Sequence, residues 1–143
     1  MSEPVRILWL DPNSADVTTY SPALASRGWT VDAAKSSLEA VALAQTCVYD
    51  VAIIDVMLPD GMGTEAWSHL KALQPDLVGI MTTSSRSLRT SIQAFSPGIL
   101  TYLLKPLAMD AVCNMIARVN EYRTLALEAR RAGEQLAMLG ALL

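Results

Sequence analysis

Short apolar runs alternate with longer segments of mixed apolar and polar residues along most of the chain. The runs at 5–10, 30–34, 51–55, 77–81 and 99–104 are typical of buried β-strands. Helical patterns follow them: from Asn13 or Ser14 to about Arg27, from Ser36 or Ser37 onward, over 63–73, over 87–95, and from about Met109 to the end. Five strand–helix repeats predict an α/β fold, in which helices cover both faces of a doubly wound parallel sheet.

An apolar repeat marks the last part of the chain. Steps of three and four residues connect its members, which are Tyr122, Leu125, Ala129, Ala132, Leu136, Leu139 and Leu143. This spacing is that of a heptad seam. We therefore expect one domain over 4–120 and a helical extension over 121–143, which pairs two copies or links to an output domain beyond Leu143. A solvated helix with a few apolar residues, or a frayed end, is the simpler alternative.

Composition restricts the class of protein. The 143 residues are 52% hydrophobic and carry a formal net charge of −3, which favours one globular domain and excludes a disordered chain or a basic nucleic-acid surface. No apolar run approaches the roughly 20 residues of a membrane-spanning helix. The N-terminal apolar stretch is short and leads into an acid, unlike a signal peptide. We expect Cys47 and Cys113 to be free, packed thiols of a cytoplasmic protein.

Polar residues stand at the carboxyl ends of four predicted strands. Asp11 follows the first strand, Asp55 ends the third, Thr82 follows the fourth and Lys105 follows the fifth. In parallel α/β sheets this edge is where ligands bind. Two carboxylates and a backbone carbonyl suit Mg²⁺, whereas a hydroxyl and an ammonium suit the oxygens of a phosphoryl group. Asp55 lies between these groups, where a carboxylate can act as a nucleophile.

These segments resemble the receiver domain of two-component response regulators. The resemblance covers about residues 4–120 and rests on RILWLDPN, VAIIDVMLPDGMG, IMTTSS and TYLLKPL. The Asp-x-x-x-Pro-x-Gly loop together with the aromatic-Leu-Leu-Lys-Pro segment is a specific combination, although each piece alone is weak. The resemblance implies a flavodoxin-like, five-stranded parallel sheet with strand order 2-1-3-4-5, extended here by a long C-terminal helix.

The resemblance also implies a role for each residue at the strand ends. Asp55 matches the phosphoacceptor, and Asp11 matches the first of two acids that bind Mg²⁺. The backbone carbonyl of Met57 matches a further metal ligand. Thr82 matches the hydroxyl that contacts the phosphoryl group, and Lys105 matches the lysine that pairs with the acceptor or its phosphate.

Two further matches concern signal output. Tyr102 matches the switch aromatic, whose ring turns inward as the threonine moves toward the phosphate, and Pro106 matches a proline often preceded by a cis peptide. The resemblance implies a sensor histidine kinase or phosphotransfer protein as the donor. The apolar seam leads us to expect a homodimer through the last helix. Because nothing in the chain indicates turnover of a separate substrate, we expect a signalling module rather than an enzyme, and composition leads us to expect no contact from this chain to nucleic acid or membrane.

Two positions depart from the family pattern. Pro12 stands where the second acid is usual, so one metal-ligating oxygen is missing and we expect weaker Mg²⁺ binding. We expect Asp16, one turn later, to point elsewhere. Thr83 replaces the usual Ala or Gly and narrows access to the phosphoryl site. Pro12 leaves open the alternative of a pseudo-receiver, which would dimerise or dock partners without phosphate chemistry.

Other patterns point to functions that we rank lower. The segment GMGTEA (61–66) spells a dinucleotide fingerprint, but Pro59 and Asp60 lengthen the turn and no acid ends the next strand to bind a ribose. An aspartate-nucleophile phosphatase would need an acid at position 57, where the chain has Met57. We expect His69, the single histidine, to be a surface residue.

Overall fold

A computed structural model describes residues 4–84 and 96–142 of the chain, apart from the side chains of residues 14–16 and 142. The strands are β1 (Arg6–Leu10), β2 (Thr30–Ala34), β3 (Val51–Asp55), β4 (Met57–Leu58), β5 (Gly61–Met62), β6 (Val78–Thr83) and β7 (Ile99–Leu104). The helices are α1 (Ser14–Ala25), α2 (Ser37–Thr46), α3 (Gly63–Leu73) and α4 (Met109–Leu142). The helix predicted over 87–95, the orientation of Asp16 and the seam residue Leu143 lie outside what is described.

The main sheet has five parallel strands in the order β2-β1-β3-β6-β7. This is the predicted order 2-1-3-4-5, since β4 and β5 pair only with each other in a short antiparallel hairpin after β3. The predicted fold class is confirmed. All five strands therefore end at one edge of the sheet, where β1, β3, β6 and β7 deliver the polar residues identified above.

The fourth predicted strand differs from expectation at its carboxyl end. We expected it over 77–81, with Thr82 and Thr83 in the following loop, but β6 runs from Val78 to Thr83. Both threonines pair with neighbours in β7, and Thr82 also pairs with Asp55 in β3. Pairing on both sides satisfies the backbone, and β-branched side chains fit a pleated strand. Thr82 is thereby fixed beside Asp55 rather than in a loop.

The core has two layers because strand side chains alternate between the faces of the sheet. On one face, strand residues such as Leu8 and Ile54 pack against α2 and α3, around the buried ring of Trp67. On the other face, Trp9 and Ile53 pack against α1 and the first half of α4. Apolar strands buried on both faces explain why the sequence shows continuous runs instead of alternation.

The last helix continues without a break for 34 residues, from Met109 to Leu142. The first half of this helix packs one of its faces into the core, but every described side chain after Leu127 is exposed. The large residues of the predicted seam are exposed both before and after Leu127: Tyr122, Leu125, Leu136 and Leu139 are 55–69% exposed. In the described ranges, no helix combines the length and the apolar character that a membrane span requires.

Candidate functional site

The ammonium of Lys105 lies between the carboxylates of Asp11 and Asp55. Its Nζ is 3.0 Å from Asp11 Oδ2 and 2.5 Å from Asp55 Oδ2. Three separate strands supply the three groups: Asp11 follows β1, Asp55 ends β3 and Lys105 follows β7. The backbone N–H of Lys105 donates to Thr83 O at 2.8 Å, which continues the ladder beyond β7 and directs the lysine over the strand ends. The predicted cluster is therefore brought together.

Burial and charge act in opposite directions on Lys105. Desolvation alone would lower the pKa of its ammonium, but hydrogen bonds to Asp55 and Asp11 and their negative charges outweigh it and raise the pKa above the ordinary value. The side chain of Asp11 is fully buried and that of Asp55 is 11% exposed. Two buried carboxylates this close are costly without a cation between them. The lysine supplies that cation.

Backbone groups fix both carboxylates from their other side. Asp11 Oδ1 accepts the N–H of Asn13 at 2.8 Å, and Asp55 Oδ1 accepts the N–H of Met57 at 2.9 Å. Each is a short turn in which an aspartate binds the backbone two residues on. Met57 itself, predicted to offer its carbonyl to a metal, lies in β4 immediately after Asp55. Both acids are thereby oriented with Oδ2 toward Lys105.

The hydroxyl of Thr82 is buried in the strand next to Asp55 and has no hydrogen-bond partner among the residues that the structure describes. Thr82 is fully buried, and its Oγ1 is one of three side-chain polar atoms in the described residues that are buried without a hydrogen bond. Its residue pairs with Asp55 across β3 and β6. An unsatisfied buried hydroxyl costs about 1–3 kcal/mol. Because a buried hydroxyl without a hydrogen bond is costly, Thr82 is suited to a ligand atom, such as a phosphoryl oxygen, that accepts a hydrogen bond from it.

The backbone at Gly63 lies close against the carbonyl group of Asp55, a contact that the sequence pattern does not predict. A Cβ on Gly63 would lie 2.1 Å from the carbonyl oxygen of Asp55, so only glycine fits at the start of α3. The N–H of Gly63 donates to Val56 O at 2.7 Å. Gly63, the second glycine of GMGTEA, therefore shapes the loop that follows Asp55.

Asp60 is a second residue whose role the sequence analysis missed. Its two carboxylate oxygens accept the N–H groups of Ser37 and Leu38, at 3.0 and 3.1 Å, at the start of α2. These hydrogen bonds, first that of Ser37, lower the pKa of Asp60. A carboxylate at a helix amino terminus is favourable. The loop that follows Asp55 is thus tied to α2 by a hydrogen bond between residues 23 positions apart in the sequence.

The two remaining predicted residues are Tyr102, which lies in β7, and Pro106, which follows β7 and Lys105. Tyr102 is partly buried, packs against the core layer of α2 and α3, and pairs with Met81 in β6. The Lys105–Pro106 peptide bond is cis, as the resemblance implied. Tyr102 is thus one residue from the level of Thr82 in the neighbouring strand. Its role as a switch stays a prediction.

The donor set can hold a hard cation, although sparsely. Asp11 and Asp55 direct one oxygen each to a shared point, now taken by Lys105 Nζ, and a divalent ion also prefers such oxygens. Pro12 has no side-chain oxygen to offer a metal ion, and it is exposed. Among the described residues no group of three acidic, histidine or cysteine side chains could hold a metal ion. The two carboxylates fit Mg²⁺ as a partial donor set that further oxygens, such as those of water, would complete.

Comparison with known proteins agrees with the geometry. A family model described as the response regulator receiver domain matches residues 7–117. The alginate biosynthesis transcriptional regulatory protein AlgB of Pseudomonas aeruginosa is 29% identical over 138 residues, which are 92% of this chain and 31% of AlgB. The transcriptional regulatory protein ZraR of Salmonella typhimurium is 30% identical over 106 residues, 74% of this chain and 24% of ZraR. The chain thus spans about a quarter to a third of these curated relatives.

A solved structure agrees in the same way. The crystal structure of a CheY-like receiver domain protein from Methanospirillum hungatei has a TM-score of 0.79 and 26% identity to this chain. It covers 87% of this chain, and this chain covers 99% of it. The similarity therefore includes nearly the whole of that domain.

Proposed function

The chain belongs to the response regulator receiver family, and on that premise we propose that it accepts a phosphoryl group on Asp55 and acts as a signalling switch. The donor is a sensor histidine kinase or a phosphotransfer protein. The proposal is supported by two groups near Asp55: the ammonium of Lys105, which contacts its carboxylate, and the buried hydroxyl of Thr82 in the paired strand position, which has no hydrogen-bond partner among the described residues. The chain converts no separate substrate, so its role is signalling rather than enzymatic.

The proposed step is a phosphoryl transfer between two side chains. A carboxylate oxygen of Asp55 attacks the phosphorus of a phosphohistidine, and an acyl phosphate forms as the P–N bond breaks. The bonding electron pair stays on the imidazole nitrogen, which takes up a proton. Such a reaction depends on positioning and on neutralising charge at the phosphoryl oxygens. Lys105 can supply one charge, and Thr82 can donate one hydrogen bond.

Mg²⁺ is proposed to assist at the same place. Asp11, Asp55 and the backbone carbonyl of Met57 would hold it, and when bound it would neutralise negative charge on the transferred group. Because Pro12 removes one carboxylate, we propose that binding is weaker than in a receiver with two adjacent acids. Lys105 already neutralises much of the charge of the two aspartates, which supports activity at low metal occupancy.

Phosphorylation is proposed to act through Thr82 and Tyr102. The phosphoryl group adds a charge of about −1.5 to −2 and strong acceptor oxygens. The Thr82 hydroxyl gains its first partner, and the two strands that carry Thr82 and Tyr102 are paired side by side. The change would bias a surface around β7 and α4 that has two arrangements, as a switch requires.

A homodimer through α4 is the proposed partner interaction. The seam that begins at Tyr122 is apolar and more than half exposed. A helix that extends past its domain is only marginally stable alone. Pairing with the same seam of a second copy would cover it and place two receiver domains side by side.

The phosphoacceptor is tested directly with a small-molecule donor. The protein is incubated with acetyl phosphate or phosphoramidate and Mg²⁺, and its intact mass is measured before and after alkaline treatment. We expect one alkali-labile phosphoryl group on the wild type, none on Asp55→Asn, and full uptake by the matched control Glu65→Gln, an exposed acid on α3. No uptake by the wild type would contradict the proposal and favour a receiver fold without phosphate chemistry.

A further inference from the structure

Two arginines of α4 bind acids at the end of the sheet opposite the phosphoacceptor. Arg123 NH1 is 3.3 Å from Asp50 Oδ1, and its Nε donates to Asp76 O at 3.0 Å. Arg130 donates from both NH1 and NH2 to the carboxylate of Asp76, at 2.8 and 3.4 Å. We call these four residues the arginine clamp. Asp50 directly precedes β3 and Asp76 precedes β6, so the clamp lies at the amino-terminal edge of the sheet.

The clamp combines a mostly buried ion pair, Arg123–Asp50, with a more exposed one, Arg130–Asp76, whose side chains are 55% and 41% exposed. The side chains of Arg123 and Asp50 are only 16% and 25% exposed. Asp50 also accepts the backbone N–H of Arg6 at 2.8 Å, which fixes its carboxylate. Arg130 and Asp76 form the two-pronged geometry that makes guanidinium–carboxylate pairs strong, and this contact lowers the pKa of Asp76. The receiver body therefore holds α4 up to Arg130, beyond the predicted boundary near residue 120.

The clamp and the apolar seam lie on opposite faces of the helix. Arg123, Leu127 and Arg130 follow a spacing of four and three, and so form one stripe. At 100° per residue, the seam through Tyr122, Leu125 and its successors is turned from this stripe by roughly 150°. Because the arginine stripe binds the body, the seam on the opposite face of the helix points away from the body.

The flanks of the seam fit a second copy of the same helix. The described seam residues are uncharged, and the positions on one side of them are small: Ala126, Gly133 and Gly140. In a parallel pair, Glu128 on the other flank faces Gly133 of the partner helix and meets no like charge. The arginines and Glu134 lie away from this contact. Close approach of two identical helices is therefore free of charge repulsion.

We infer that Asp50 and Asp76 dock Arg123 and Arg130 so that α4 leaves the receiver body in one fixed orientation, with its seam presented to a second copy in parallel. The inference deepens the proposed function and rests on the dimer proposed above. It adds what determines the arrangement of the two receiver bodies. Without the clamp the helices still pair, but each body can rotate and tilt relative to the pair.

Hydrogen exchange tests the docking without any need for a dimer. In Asp50→Asn/Asp76→Asn we expect backbone amides of residues 124–131 to exchange about three to ten times faster than in the wild type, as the loss of two partly screened ion pairs implies. Asp110→Asn, which removes an exposed acid from the first turn of the same helix, is the control and should leave these amides unchanged. Arg130→Gln is the milder variant if the double variant unfolds. Unchanged exchange in both clamp variants would overturn the inference.

Distances between bodies test the consequence for the dimer. A spin label at His69→Cys, exposed on α3, should give a narrow distance distribution in the wild-type background and a broad one in the clamp variants. Cys47→Ser avoids a second label, and Cys113 is buried. A broad distribution in both backgrounds, or a narrow one in both, contradicts the inference.

Cross-linking tests whether the dimer forms, independently of how its two receiver bodies are arranged. A disulfide through Leu139→Cys should join two chains at this same position, whereas Arg131→Cys, outside the seam, should not react. If Leu139→Cys fails to cross-link and the wild type sediments as a monomer, the proposed dimer is wrong. Uptake of phosphate at Asp55 and exchange at the clamp are then still measured independently.

Discussion

Lys105 and Asp55, 50 residues apart in the chain, face each other with Nζ and Oδ2 separated by 2.5 Å. The contact exists because β3 and β7 both end at the carboxyl edge of one parallel sheet. Asp11 completes it, so a single ammonium neutralises two buried carboxylates. The arrangement links stability and function, since any group that takes up charge at Asp55 must also change the partners of Lys105.

Removal of the lysine charge should therefore weaken the fold as well as the proposed chemistry. In Lys105→Met we expect the free energy of unfolding to fall by about 2 kcal/mol, because two carboxylates lose their shared cation at a site only partly open to water. Urea denaturation at neutral pH measures this. Lys35→Met, at an exposed position, is the control and should change little. Equal stability of both variants would mean that the lysine is not needed to balance the acids.

Removal of the Thr82 hydroxyl should stabilise the fold but impair the proposed function, whereas loss of the lysine charge should weaken both. The buried Oγ1 of Thr82 has no hydrogen-bond partner in residues 4–84 and 96–142, so Thr82→Val should raise the free energy of unfolding by about 1 kcal/mol. The same variant should take up phosphate more slowly or hold it for a shorter time, because the hydroxyl that would contact the phosphoryl oxygens is gone. Thr83→Val, one residue further along β6, controls for loss of a strand hydroxyl. A destabilised Thr82→Val would show that the hydroxyl already has a stabilising role.

Gly63 can be tested against a glycine in open space. Gly63→Ala places a methyl group 2.1 Å from the carbonyl oxygen of Asp55, so the loop must move. We expect a loss of about 2–4 kcal/mol and impaired uptake of phosphate. In Gly133→Ala no atom lies within 4 Å of the added carbon, and a helical alanine should stabilise by about 0.5–1 kcal/mol. Similar effects at both positions would contradict the close approach.

The phenol of Tyr49 should make the free energy of unfolding depend on pH in the alkaline range. Its hydroxyl donates to Asp32 Oδ2 at 2.6 Å, and burial, together with this hydrogen bond and the charge of Asp32, raises the pKa of the phenol far above its ordinary value. A raised folded-state pKa gives stability that is complete below the ordinary pKa of about 10 and is lost as pH rises beyond it. The advantage of the wild type over Tyr49→Phe in unfolding free energy should therefore shrink above about pH 10.

A constant difference between the wild type and Tyr49→Phe, from neutral pH into alkali, would show that the phenol ionises equally in the folded and unfolded states.

Sequence reasoning succeeded where a local pattern carries the information. Apolar runs followed by single polar residues identified four strands whose ends meet, and from them the cluster of Asp11, Asp55 and Lys105. Contacts between distant segments could not be predicted in this way. The fit of Gly63 against Asp55 depends on how α3 enters the sheet, which no spacing reveals.

The arginine clamp shows the same limit. Arg123 and Arg130 are seven residues apart, and the sequence suggests only a solvated face of a long helix. Their partners lie 73 and 54 positions earlier in the chain, at Asp50 and Asp76. The length of β6 was underestimated for a related reason, since pairing with both neighbours carries it through Thr82 and Thr83.

Binding of beryllofluoride in the presence of Mg²⁺ tests most directly whether Asp55, Thr82, Lys105 and Asp11 form one phosphoryl site. Fluorine NMR of the wild type should show a bound signal that saturates with added mimic, and backbone amide signals of Thr82 and Lys105 should shift with the same dependence. Asp55→Ala should show no bound signal, whereas Glu65→Gln should match the wild type. Absence of a bound signal from the wild type at millimolar Mg²⁺, or an equal signal from Asp55→Ala, would contradict the account.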